Sequence, residues 1–285
     1  YIEKTVIKAI KNDIAIYAIH TNLDNMLAGV NAKISQRLGL VKTRILLPTK
    51  NNLRKLVTFV PESHFDSVLN SLFEAGVGGI GEYKDCSFSH VGEGTFCPGE
   101  GAKPFVGEVG KRHIEKERRV EVIYASHIES QVLTSLKNSH PYEKPAYDIL
   151  QLLNSNEDIG AGMIGELPDE MDEKMFLQSL KSSLKTECVR YTPLLGKKIK
   201  TVALCGGSGS FLLRAAMSQK ADVFITGDFK YHEFFDAESR IIIADVGHFE
   251  SEQFTIELLT DKLKEKFTTF AVCFTDINTN PVNYL

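Results

Sequence analysis

Three short apolar runs in the C-terminal part of the chain constrain its fold most. They are IKTVALC (199–205), ADVFITGD (221–228) and RIIIADV (240–246). Each is followed by a helix-like stretch: FLLRAAMSQ, KYHEFFDAES and then the long FESEQFTIELLTDKLKEKF, with TTFAVCFT (268–275) closing the series. One apolar run of this length does not distinguish a strand from a buried helical turn. Regular alternation with helical segments does, because parallel neighbours need crossovers, and the crossover helices then cover the sheet. An α/β domain with a parallel sheet is the expectation.

The N-terminal stretch reads as part of the same domain. Val6–Ile10 looks like the end of an amphipathic helix, Asn12–Asp13 like a turn and IAIYAI (14–19) like a buried strand. A helix is expected over 25–38, stopped by Gly39. Residues 53–150 differ in texture. LRKLVTFVP, a helix from Pro61 through Ala75, a glycine-led strand in GVGGIGEYKDCSFSHV, a Gly/Pro/Glu-rich loop over 92–110, RRVEVIYAS, IESQVLTSLKNS and KPAYDILQL give a split βαβ–βαβ order. That order is ferredoxin-like. LNSNEDIGAGMIGELPDE (153–170) reads as the Gly- and acid-rich return into the first domain. The expected division is therefore 1–52 and 151–285 for one α/β domain, interrupted by an α+β module at 53–150.

Composition excludes several classes. A net charge of −4 lacks the basic excess of a general nucleic-acid binder. No apolar run approaches the ~18–20 residues of a membrane span, and YIEKTVIKAI is too charged for a signal-peptide core. Five scattered cysteines without a C-x-x-C pair suggest reduced thiols and a cytoplasmic location. The chain opens without Met and inside a helical periodicity, which points to residues upstream.

Parallel sheets bind ligands at the carboxyl ends of their strands, and four polar clusters are expected there. In GHFESE, His248 and Glu252 stand four residues apart, a spacing that suits either half of a metal site or a capped helix start. HTNLD (20–24) offers His20 and Asp24, as ligands or as a turn and helix cap. CGGSGS (205–210) offers backbone N–H groups to an anion or makes a tight turn; it lacks the G-K-[ST] of a P-loop and the G-x-G-x-x-G spacing. TGDFKYHE (226–233) places Asp228 and His232 four apart beside Lys230, so His232 is a candidate proton donor or a structural histidine.

Taken in order, AIYAIHTNLDNMLAGVNAKISQRLGL, ALCGGSGSFLLRAA, ADVFITGDFKYHEFFDA, DVGHFESE and NTNPVNYL resemble the dinuclear-metal-centre hexameric proteins, the Nif3-like family of GTP cyclohydrolase 1 type 2 homologues. The resemblance implies a three-layer α/β domain interrupted by a ferredoxin-like domain similar to PII and CutA proteins, as in the longer bacterial members. It implies a metal site with Asp24, His248 and Glu252 as ligands, His20 and His232 as candidate catalytic groups, and two divalent ions (Zn, Fe or Mn) in the full-length protein. The family's His-His pair belongs to a segment upstream of this chain, so one ion or none is the expectation here. A homohexamer, a trimer of dimers, is also implied. Two functions stay open: a metal-dependent hydrolase of a nucleotide-like or phosphorylated small molecule, and a non-catalytic metal-binding regulatory ring.

Overall fold

The structure, a computed structural model, describes residues 1–285. The chain begins with helices α1 (Ile2–Lys11), α2 (Thr21–Asp24) and α3 (Val30–Arg37), then strands β1 (Val41–Thr49) and β2 (Leu53–Pro61). Next come α4 (Phe65–Glu74), β3 (Ser87–Phe96), β4 (His113–Ala125), α5 (Glu129–Ser139) and β5 (Tyr147–Gln151). The long strand β6 (Asn156–Asp172), α6 (Glu173–Ser183), β7 (Arg190–Tyr191) and β8 (Lys198–Ser208) follow. The last elements are α7 (Leu213–Ser218), β9 (Val223–Gly227), β10 (Ile242–Asp245), α8 (His248–Glu252) and α9 (Thr255–Lys266). Two compact units result, Tyr1–Pro48 with Asp158–Leu285, and Thr49–Glu157.

The first unit is built on a six-stranded sheet in the order β1-β6-β8-β9-β10-β7. β8, β9 and β10 are parallel, and antiparallel β6 and β7 flank them. Side chains alternate across a strand, and here both faces are apolar. Val202, Leu204, Val223, Ile225, Ile242 and Ala244 pack with α3, α6 and α9, through residues such as Ile34, Leu180 and Leu258. Ala203, Cys205, Phe224 and Ile243 point the other way, against Leu212, Leu213 and Ala216 around α7. Helices on both faces make three layers.

Several expected elements take another form. Residues 14–19 form no strand: Ile14, Ile16 and Tyr17 are exposed, and no ladder takes up their backbone. Residues 268–275 form none either. The expected connection at 153–170 is mostly strand, because its glycines mark close backbone approach. A Cβ on Gly160 would lie 2.3 Å from the Leu47 carbonyl oxygen, and one on Gly162 would lie 2.8 Å from that of Leu204. The expected helix over 25–38 shortens to α3, the stretch after Lys230 is a 3-10 helix (Tyr231–Ala237), and the last long helix breaks into α8 and α9. Gly39 does stop α3's turn, at φ +66°.

The second unit has the strand order β3-β4-β2-β5, every neighbouring pair antiparallel, with α4 and α5 packed on one face. This is the ferredoxin-like arrangement. Its buried His140 donates from Nε2 to the Phe59 carbonyl (3.0 Å), while Nδ1 accepts the Tyr142 amide (3.0 Å). The bond accepted at Nδ1 needs the neutral ring. Burial holds the His140 pKa below its ordinary 6.5, against the raising effect of the Phe59 bond. The folded state therefore binds fewer protons than the unfolded one, so this contribution to stability is full above pH ~6.5 and is lost as pH falls through the lowered folded value. The urea midpoint should fall more steeply between pH ~7.5 and ~5.5 in the parent than in His140→Gln. Identical pH slopes would contradict this.

Candidate metal centre

Because β8, β9 and β10 run parallel, their carboxyl ends open on one edge of the sheet, and each exit is set by backbone constraints. The chain leaves β9 at Asp228 (φ +59°) and β10 at Gly247 (φ +92°). The two exits touch: a Cβ on Gly227 would lie 2.8 Å from the Gly247 carbonyl carbon. Asp245, 3% exposed, ties them together. It accepts the amides of Phe229 (2.9 Å) and Gly247 (3.0 Å) and pairs with Arg190 of β7.

The β8 exit is fastened to α2, α3 and α8. Asn31, 2% exposed on α3, accepts the Gly206 amide (2.9 Å) and donates to the Asp24 carbonyl (2.9 Å). The Gly207 amide donates to Ser251 Oγ (2.9 Å), whose hydroxyl donates to the His248 carbonyl (2.8 Å). Thr226 donates to the Gly207 carbonyl (2.9 Å). Gly207 has φ +64°, and a Cβ there would sit 2.4 Å from Glu252 Oε1. Only a glycine lets that carboxylate approach this backbone.

Around this floor lies a cleft of about 720 Å³, with His20, Asp24, Arg190, Asp228, His248 and Glu252 in its lining. His248 Nδ1 is 2.6 Å from Asp228 Oδ2, and its Nε2 is 3.4 Å from Glu252 Oε2. The Asp228 hydrogen bond raises the His248 pKa, opposed by burial and helped by Glu252. Burial raises the pKa of Asp24, opposed by the nearby His20 and His248. Burial also raises that of Glu252, with His248 opposing and the Asp24 charge adding to it. The Cys205 thiol is pushed up to about 12 by burial and then by Asp24 and Glu252, so it stays protonated and is a poor ligand. No three His, Cys, Asp or Glu side chains close a ligand shell by themselves. The donors instead share one cleft, where the Asp24 charge disfavours that of Glu252.

Of the expected residues, Asp24, His248, Glu252 and His20 come together. His232 does not: it is exposed on the 3-10 helix, edge-on to Tyr231 (centroids 5.3 Å apart) and outside the cleft lining. Lys230 is also outside the lining. The glycine run offers no anion nest at Gly206 or Gly207, whose amides serve Asn31 and Ser251. Three features escaped the sequence reading. Asp228 orients His248 across 20 residues of sequence, Arg190 brings the cation, and the C-terminal segment returns to the cleft, where Asn280 donates to Glu250 (3.0 Å). Asp228 was already visible as a strand-end carboxylate; its partner was not.

The doubly covered sheet and its strand-end cleft define an α/β protein with an acidic, imidazole-bearing site. Residues 1–281 match the Duf34/NIF3 (NGG1p interacting factor 3) family, and the chain belongs to that family. It is 38% identical over 283 residues to a GTP cyclohydrolase 1 type 2 homolog of Halalkalibacterium halodurans, covering 98% of this chain and 76% of that protein. A Bacillus subtilis protein of the same description is 37% identical over 284 residues, with 98% and 76% covered. A solved Bacillus cereus protein related to NIF3 is similar in structure, with TM-score 0.82, 36% identity and 99% of this chain and 77% of that one covered. No helix here is long and apolar enough to cross a membrane.

Asn31 gives the site a direct stability test. Asn31→Ala strands the part-buried Gly206 amide and frees the Asp24 carbonyl, so it should cost about 1–3 kcal/mol in urea unfolding. A loss below ~0.5 kcal/mol would show that the bridge contributes little.

Proposed function

We propose that this chain binds divalent metal, zinc, iron or manganese, through Asp24, His248 and Glu252, and that the loaded site hydrolyses a phosphorylated or nucleotide-like small molecule. The carrying observation is the His248 ring. With Nδ1–H donating to Asp228 at 2.6 Å, a neutral ring leaves its Nε2 lone pair facing Glu252 Oε2 at 3.4 Å. Two acceptors stay that close only with a proton or a cation between them. A metal ion in that place also relieves the repulsion between Glu252 and the half-buried Asp24. Imidazole with carboxylates suits the ions named, and a carboxylate behind a ligating histidine is the usual orienting partner.

Bound divalent ions supply an activated water and a clamp for a developing oxyanion. The rest is done by the chain. Asp228 fixes the ring and keeps the proton on Nδ1. His20, on the cleft wall and close enough for its charge to be felt by Asp24 and Glu252, can exchange a proton with the leaving group or water. Arg190 brings a cation to the cleft lining. One of its terminal nitrogens serves Asp245 and Phe229, and the side chain, 55% exposed, has further N–H donors for an anionic group. The volume suits a small molecule. Assembly of several copies is part of the same reading, supported by Tyr231 and Phe235, which are stacked edge-on at 5.6 Å and are 72% and 67% exposed.

Metal-loaded protein should turn over members of a panel of phosphoesters and nucleotides, and Asp24→Asn or Glu252→Gln should lower that turnover at least ~100-fold, with Asp228→Asn weakening metal affinity by about 10–100-fold. Loaded protein inert toward the whole panel, or full turnover after chelation, would overturn the hydrolytic reading.

A further inference from the structure

The ferredoxin-like unit has a cleft of its own, about 660 Å³, on the sheet face opposite α4 and α5. Alternation along β2 and β4 puts Leu56, Val60, Val120 and Val122 under the helices and turns Phe59, Glu117 and Arg119 to the other face. Rings from three segments stand around the opening. Phe96 and Tyr142 have centroids 5.8 Å apart, and Phe105 and Tyr142 6.3 Å, all tilted rather than stacked.

Glu117 is a buried acid in this lining, 8% exposed. Its Oε1 accepts the Tyr142 hydroxyl at 2.9 Å, and Oε2 lies against Gly94, where a Cβ would be 2.1 Å away. No Lys, Arg or His nitrogen comes within 4.0 Å of the carboxylate. The cations lining the cleft are otherwise placed: Arg119 pairs with Glu121 at 3.0 Å and lies over Phe59, while Lys103 and Lys144 are exposed at the rim. A buried carboxylate without a counter-charge is costly. Aromatic faces beside it attract a cation and accept an apolar body.

We propose that this cleft is a binding site for a small organic ammonium ion, whose charged head meets Glu117 Oε2 and whose carbon skeleton lies among Phe96, Phe105 and Tyr142. An inorganic cation is the poorer occupant, since no three His, Cys, Asp or Glu side chains converge there to complete a shell of hard donors. The site is independent of the strand-end cleft, being formed wholly from residues 59–146.

The test uses the full chain in calorimetric titrations at pH ~7.5, where the ammonium group is charged. The probes are choline, phenethylamine and 3,3-dimethyl-1-butanol, the uncharged isostere of choline. At least one ammonium probe should bind saturably, and the alcohol should bind at least ~10-fold more weakly than choline. Glu117→Gln should weaken ammonium binding about 10-fold or more, and Phe105→Ala, at a half-exposed position that tolerates truncation, should do the same. Glu252→Gln, in the other cleft, should bind like the parent. Absence of saturable binding by both ammonium probes, equal binding of the alcohol, parent-like binding by Glu117→Gln and Phe105→Ala, or loss confined to Glu252→Gln would each overturn the proposal.

Discussion

The amides of Gly206 and Gly207 at the end of β8 are where the first unit is pinned together. One goes to Asn31, which also holds the last turn of α2 through the Asp24 carbonyl; the other goes to Ser251, in the middle of α8. Two hydrogen bonds thus fix the residues before β1 and those after β10 on one strand end. The positive φ of Gly207 and its missing Cβ leave the space that the Glu252 carboxylate occupies. The consequence is electrostatic. Carboxylates from distant parts of the chain share one partly buried cleft, with a histidine against Glu252 and a third carboxylate, Asp228, on its other nitrogen.

That arrangement gives the site its character. Asp24 and Glu252 lose solvation, the Asp24 charge further raises the proton affinity of Glu252, and Asp228 makes the His248 ring more basic. Without metal, protons are the available counter-charge. In the proposed reading a metal ion would compete with those protons for one position, since ligating carboxylates and imidazoles must shed them. Asp245 is engaged elsewhere. Its three backbone and guanidinium partners lock the exits of β9 and β10, and so fix the spacing between Asp228 and His248.

Much of the fold could be read from the sequence because strands buried on both faces read as continuous apolar runs, as in Val202–Cys205 and Ile241–Ala244. The same signal misled where no neighbour exists. IAIYAI and TTFAVCFT have strand composition but no ladder, and composition does not report pairing. β6 was hidden for the opposite reason. Its glycines, which look like loop residues, are what lets β1 and β8 pack against it. At the site, Asp24, His20, His248 and Glu252 were legible as polar residues just past apolar strands. The Asp228–His248 bond, the Arg190 cation and the return of Asn280 depend on which strands lie side by side, and spacing along the chain does not carry that information.

The central claim is that Asp228 turns His248 so that its Nε2 and the Glu252 carboxylate address one cation, with Asp24 alongside. Anomalous diffraction from crystals of the metal-loaded protein tests this most directly. The account predicts an ion bonded to His248 Nε2 and Glu252 at about 2.0–2.2 Å, with Asp24 in its shell and the Nδ1–Asp228 bond intact. An ion bound elsewhere, or one at this site with Nε2 left free, would contradict it.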